Sequence, residues 1–157
     1  MNASTLSFAP MSRACHDAII DSPMPYQVLI TGEASPLQQE LMQELENADA
    51  MISIQHSTSY QDAFMQLTQQ HYDIVFVTNN VGSSEGFELC QRIREQTALK
   101  RVPIIMLSET ATPMDEVKGV LSGCTTYWAK PINPYEFQKM ISRVTRWVDE
   151  VKAKTTT

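Results

Sequence analysis

The chain has 157 residues, 43% of them hydrophobic and 19% charged, with a formal net charge of −6. That length and apolar content suit one domain with short extras and argue against wholesale disorder. The acidic balance does not favour nucleic acid or an anionic membrane as partner, and no apolar run approaches the roughly 18 residues of a membrane span. Residues 1–25 are rich in Ser, Pro and Met, lack the basic start and apolar core of a signal peptide, and read as a flexible N-terminal extension. Within them Ala14, Ile19 and Ile20 would share one face of a short helix over Ser12–Ile20, the alternative being a docking or dimerising arm.

From Tyr26 onward the pattern is regular. Tyr26–Ile30 (YQVLI) reads as a buried strand. Ser35 is a helix N-cap with Pro36 at the first helical position, and Leu37, Leu41, Met42 and Leu45 give Pro36–Asn47 an apolar face. Met51–Gln55 is a second strand. Ser59 caps a second helix carrying Ala63, Phe64 and Leu67. Asp73–Val77 (DIVFV) is the most apolar strand and is expected at the centre. Gly82, Ser83 and Ser84 mark a loop before a helix built on Phe87, Leu89, Cys90 and Ile93. Val102–Leu107 is the fourth strand. Pro113–Ser122 is a helix whose Met114, Val117, Val120 and Leu121 are expected in the core, with Gly123 as its C-terminal cap. Thr125–Ala129 is the fifth strand. Pro134–Val151 is a long helix with Phe137, Met140, Ile141, Val144, Trp147, Val148 and Val151 facing inward.

Five short strands alternating with five amphipathic helices call for an α/β fold, a doubly wound parallel sheet with helices on both faces. Its functional cleft lies at the carboxyl ends of the strands, which directs attention to Thr31, Gly32, Glu33, Thr78, Asn79, Ser108 and Lys130. Cys15, Cys90 and Cys124 are scattered with no CxxC pair, so they read as reduced thiols of a cytoplasmic protein rather than a disulfide framework or zinc site. His16, His56 and His71 have no ligand spacing and read as surface residues. The five glycines form no phosphate-cradling motif.

The strand ends resemble the receiver domain of bacterial two-component response regulators. The resemblance covers about Tyr26 to Val151, so the chain divides into an extension (1–25), a receiver-like domain (26–151) and a polar tail (152–157). It rests on YDIVFVTNNVGSSEGFELCQRIRE (Tyr72–Glu95), on PIIMLSE (Pro103–Glu109), and on YWAKP (Tyr127–Pro131). It implies a flavodoxin-like sheet of strand order 2-1-3-4-5. It also implies that Ser108, Lys130 and Tyr127 match the family's hydroxyl, its lysine before a cis-proline, and its switch aromatic. The position matching the phosphoacceptor aspartate is Thr78. The family's acidic pair falls on Thr31–Gly32 or Gly32–Glu33, which leaves at most Glu33.

Receiver phosphorylation needs a carboxylate nucleophile, a magnesium ion held by hard oxygen ligands, and a lysine and hydroxyl for the product oxygens. One carboxylate instead of three, with an unactivated threonine hydroxyl at the centre, implies a degenerate phosphorylation pocket with no catalytic residue, metal or cofactor. Lys130 is read either as a buried amine paired with Glu33 or as a surviving anion site. Strand alternation sends Trp128 opposite to Tyr127. The two are read as a partner-binding face, with core packing as the alternative for Trp128. The function expected is a stand-alone pseudo-receiver adaptor, not an enzyme, that binds a protein partner in a signalling pathway. A homodimer through the helix four to helix five face is left open. Two other readings are a response regulator phosphorylated on an unconventional acceptor, and a sensor whose uncharged cleft around Thr31, Thr78, Asn79 and Asn80 takes a small ligand.

Overall fold

The computed structural model describes residues 24–79, 84–110 and 112–156. The expected helix over Ser12–Ile20 lies outside them. Five strands, β1 (Tyr26–Thr31), β2 (Ile52–Ser57), β3 (Ile74–Asn79), β4 (Ile104–Ser108) and β5 (Thr126–Ala129), form one sheet in the order β2-β1-β3-β4-β5. Every neighbouring pair is parallel. Five α-helices connect and follow them: α1 (Pro36–Glu46), α2 (Tyr60–Gln69), α3 (Glu85–Glu95), α4 (Pro113–Ser122) and α5 (Pro134–Thr156). No helix among the described residues is long and apolar enough to cross a membrane.

Local chemistry sets the helix ends. Ser35 Oγ accepts from the Gln38 amide at 3.1 Å, and Ser59 Oγ from those of Gln61 and Asp62 at 3.2 and 3.3 Å. Thr112 and Asp115 form a reciprocal capping box at the start of α4, with both bonds at 3.1 Å. Gly123 ends α4 at φ +101°, a left-handed conformation that favours glycine.

Alternation along the strands builds two cores. Val28, Ile30, Ile74 and Phe76 face α1 and α5, where they meet Leu41, Phe137 and Ile141. Leu29, Val75 and Val77 face α2 and α3, where they meet Ala63, Leu67, Leu89 and Cys90. All six residues of β3 are buried, which makes it the central strand.

Two expectations need correction. The apolar residues of α4 do not enter the core: Met114, Val117, Val120 and Leu121 are 62%, 51%, 66% and 77% exposed. The face of α4 that does meet the domain carries the small residues Gly119 and Ser122. Trp147 is 39% exposed rather than inward-facing, because the inner stripe of α5 runs through Phe137, Ile141 and Val148 instead.

A buried carboxylate helps fasten the far end of α5, where the Tyr26 hydroxyl also donates to Asp149 at 2.9 Å. Asp73, whose side chain is only 2% exposed, accepts from the Gln27 amide at 2.8 Å, contacts His71 Nε2 at 2.8 Å and pairs with Lys152 Nζ at 3.2 Å. Burial alone would raise its carboxyl, but the hydrogen bonds from Gln27, His71 and Lys152 outweigh it and hold the pKa below the ordinary value. A depressed folded-state pKa gives stability that is complete above the unfolded-state value and lost as pH falls through the folded one. Asp73→Asn is therefore expected to cost about 2 kcal/mol at pH 7 by urea unfolding. The difference from wild type should close below about pH 4, near the ordinary aspartate value. A difference that persists undiminished at pH 3 would contradict an electrostatic role.

Candidate functional site

The carboxyl ends of β1, β3 and β4 converge at one edge of the sheet. Thr31 closes β1 fully buried, and its hydroxyl has no hydrogen-bond partner. Gly32 follows at φ +133°, its amide donating to the Ser57 carbonyl at 3.1 Å. Thr78 lies directly against it: its hydroxyl donates to the Thr31 carbonyl at 3.2 Å, and its own carbonyl accepts from the Tyr60 hydroxyl at 2.7 Å. A Cβ on Gly32 would collide with Thr78 Oγ1 and stand 2.7 Å from the Thr78 carbonyl oxygen. Both backbone conformation and space therefore demand glycine at 32. Glu33, one residue on, is exposed.

The next strand ends are tied inward. Asn79 Oδ1 accepts from the Gly86 amide at 3.3 Å in the first turn of α3, where Ser84 makes no side-chain cap. Ser108 sits opposite Asn79 in the β3–β4 register and is 2% exposed. Tyr127 reaches both: burial pushes its hydroxyl pKa up, and hydrogen bonds with Ser108 and Asn79 partly offset that. The Tyr127 ring stacks on Phe87 with centroids 6.1 Å apart. Gly119 of α4 comes so close that a Cβ there would stand 2.8 Å from Tyr127 Cδ2. Trp128 points the other way and meets Phe137 edge-on, with centroids 5.6 Å apart. Tyr127 and Trp128 are both half-buried.

Lys130 is not the buried amine paired with Glu33 that was one of its two readings. Its side chain is 36% exposed, and Nζ lies 3.7 Å from both Glu40 and Glu109. Glu40 on α1 and Glu109 after β4 stand nearer the end of that flexible stem. Exposed pairs at this separation stabilise little. The Lys130–Pro131 peptide is cis, as the resemblance implies.

Nor is the cleft uncharged. Thr31, Thr78 and Asn79 are at most 5% exposed, and Asn80 lies outside the described residues. The opening beside them is a cavity of about 350 Å³ walled by Glu33, Thr58, Ser59, Tyr60 and Glu85. Burial, Glu85 and Glu33 together push the Tyr60 hydroxyl up to about 12, so it stays a proton donor to Thr78 across the neutral range. Tyr60 was missed in the sequence because nothing local distinguishes it from any first-turn tyrosine. Its role depends on α2 packing beside β3.

The family resemblance implies a magnesium ion at this point. The described residues do not fit one: the Thr78 hydroxyl fills the space into which a side chain at 32 would grow, and Glu33 points into an open mouth. Among the described residues no group of three or more His, Cys, Asp or Glu side chains could hold a metal.

Comparison with known proteins places the chain. The family profile described as response regulator receiver domain matches residues 28–142, well over half of the sequence. Protein PilG of Pseudomonas aeruginosa is 32% identical over 75 residues, which are 48% of this chain and 56% of PilG. The response regulator protein GraR of Staphylococcus aureus is 29% identical over 140 residues, or 80% of this chain and 60% of GraR. The chain spans only part of such relatives, down to 10% of a gliding motility regulatory protein of Myxococcus xanthus that is 27% identical over 78 residues, 50% of this chain. Among solved structures, the chemotaxis protein CheY4 of Vibrio cholerae superposes with a TM-score of 0.64 at 24% identity, covering 77% of this chain and 99% of CheY4. A putative response regulator from Chloroflexus aurantiacus superposes at 0.69 with 23% identity, covering 77% of this chain and 98% of its own. These likenesses carry the fold, and the family match carries the identity: this chain belongs to the response regulator receiver domain family.

Proposed function

We propose that this chain is a pseudo-receiver, a non-enzymatic adaptor of the cytoplasm that acts by binding a protein partner and not by aspartyl phosphorylation. The observation that carries this reading is the Gly32–Thr78 contact. Two positions of the degenerate pocket, which also includes Thr31, Glu33, Ser108 and Lys130, lack the acids the chemistry needs, and Thr78 fills the space into which a side chain at 32 would grow. Restoring an acid at 78 alone would therefore still leave none at 32.

What remains is a shaped surface. The α4 stripe of Met114, Val117, Val120 and Leu121 stands in water beside β5, and exposed apolar side chains grouped on one face mark an interaction site. Tyr127 supports that face from beneath through its contact with Gly119, whereas Trp128 packs on Phe137 on the other side of the sheet. We assign the partner-binding role to this α4–β5 face.

Three outcomes test the reading. Incubation with magnesium and acetyl phosphate is expected to leave the intact mass unchanged, and Thr78→Asp alone is expected to remain unlabelled. A shift of one phosphoryl group on wild-type protein would refute the proposal. Gly32→Ala is expected to cost about 3 kcal/mol in urea unfolding, since it adds a disfavoured backbone conformation to a steric clash. If it folds with wild-type stability, the interlock is not tight. Val117→Glu with Leu121→Glu is expected to leave the melting temperature within a few degrees, as exposed substitutions do. The same double variant should abolish capture of whatever wild-type protein retains, read by quantitative mass spectrometry; undiminished capture would remove the α4 face from the proposal.

A further inference from the structure

The opposite end of the sheet carries a second surface of different chemistry. Where β4 and β5 begin, a cleft of about 400 Å³ opens between the α3–β4 connection and α5, and Arg94, Lys100, Arg101, Arg143, Val144 and Trp147 line it. A second cavity of about 150 Å³ adjoins it, shares Arg101, Pro103 and Trp147, and continues past Leu99, Val148 and Val151.

The charge here runs against the rest of the molecule. The chain holds 12 Lys and Arg against 18 Asp and Glu, yet four of those 12 line the first cleft and no carboxylate does. Arg94 is committed to the fold: Nε donates to the Gly123 carbonyl at 2.8 Å, and Nη1 to those of Leu99 and Lys100 at 3.1 and 3.2 Å. Lys100, Arg101 and Arg143 are exposed and join no salt bridge among the described residues. Asp73 borders the second cavity but is paired there with Lys152 and hydrogen-bonded to His71.

We propose that this groove receives an acidic peptide segment of a partner protein, one that alternates carboxylates with two apolar anchors. Charge complementarity calls for an anion. The paired cavities call for two anchors, because a ligand with a single ring would fill one and leave the other in water. The size agrees: Arg143 to Val151 is eight residue steps along α5, about 12 Å, the length of about four extended residues. In an extended segment alternate side chains share a face, so two anchors point into the groove while the intervening carboxylates meet its cationic rim. Trp147 lines both cavities and is exposed, an aromatic that a partner would bury as a hot spot. This site is independent of the fate of the phosphorylation pocket.

The test uses the full chain and a fluorescein-labelled hexapeptide, EDFDLD, by fluorescence polarisation. EDFDLD is expected to bind saturably, with Arg101→Glu and Arg143→Glu each weakening it about tenfold. Arg146→Glu, the same charge change on an exposed residue of α5 outside the groove, is expected to have little effect. Trp147→Ala is expected to abolish binding, with circular dichroism confirming that each variant is folded. The charge reversals keep the test valid if Trp147→Ala is unstable. Absence of EDFDLD binding would overturn the proposal, as would equal weakening by Arg146→Glu and Arg143→Glu. Equal affinity for EDSDSD or for a thymidylate dodecamer would overturn it too, by showing a general polyanion surface.

Discussion

The close approach of Gly32 to Thr78 governs this domain's site. The main chain after β1 runs so near the end of β3 that only a residue without Cβ fits, and it runs there at a φ few other residues adopt. Around that contact the buried polar groups other than the Thr31 hydroxyl are paired within the fold. The Thr78 hydroxyl satisfies a carbonyl of β1, Tyr60 satisfies the carbonyl of Thr78, and Asn79 holds the first turn of α3. Groups paired within the protein in this way are not free to ligate an ion or stabilise a developing charge without breaking buried hydrogen bonds.

A wholly buried β3 between two helical layers makes such a site rigid. Each strand sends alternate side chains into separate cores, so any displacement of β3 disturbs packing on both faces. Asp73 adds a polar latch at the opposite end, joining β1, β3 and the last turns of α5 through one buried carboxylate. The order of these parts is that of other receiver domains, and the likeness to CheY4 of Vibrio cholerae at a TM-score of 0.64 reflects this shared packing.

The two ends of the sheet are electrically unlike. Glu33 and Glu85 wall the cavity at the carboxyl ends, whereas Lys100, Arg101 and Arg143 surround the groove at the amino ends of β4 and β5. The exposed α4 stripe is a third, neutral surface. The three faces differ in charge and share no residues.

Much of this was legible along the chain. The strands, the Ser35 and Ser59 caps, the left-handed Gly123, the alternation of Tyr127 and Trp128, and the absence of an acid at 78 depend on local periodicity and residue type, and the sequence by itself determined them. The outward face of α4, the contact between Gly32 and Thr78, the reach of Tyr60 to β3, the pairing of Lys130 with Glu40 and Glu109, and the basic groove were decided only by tertiary structure. The physical reason is that an amphipathic pattern reports that a helix has an apolar side, whereas its neighbours decide whether that side is covered. Likewise, charges far apart in sequence acquire a shared field only when folding brings their elements to one end of the sheet.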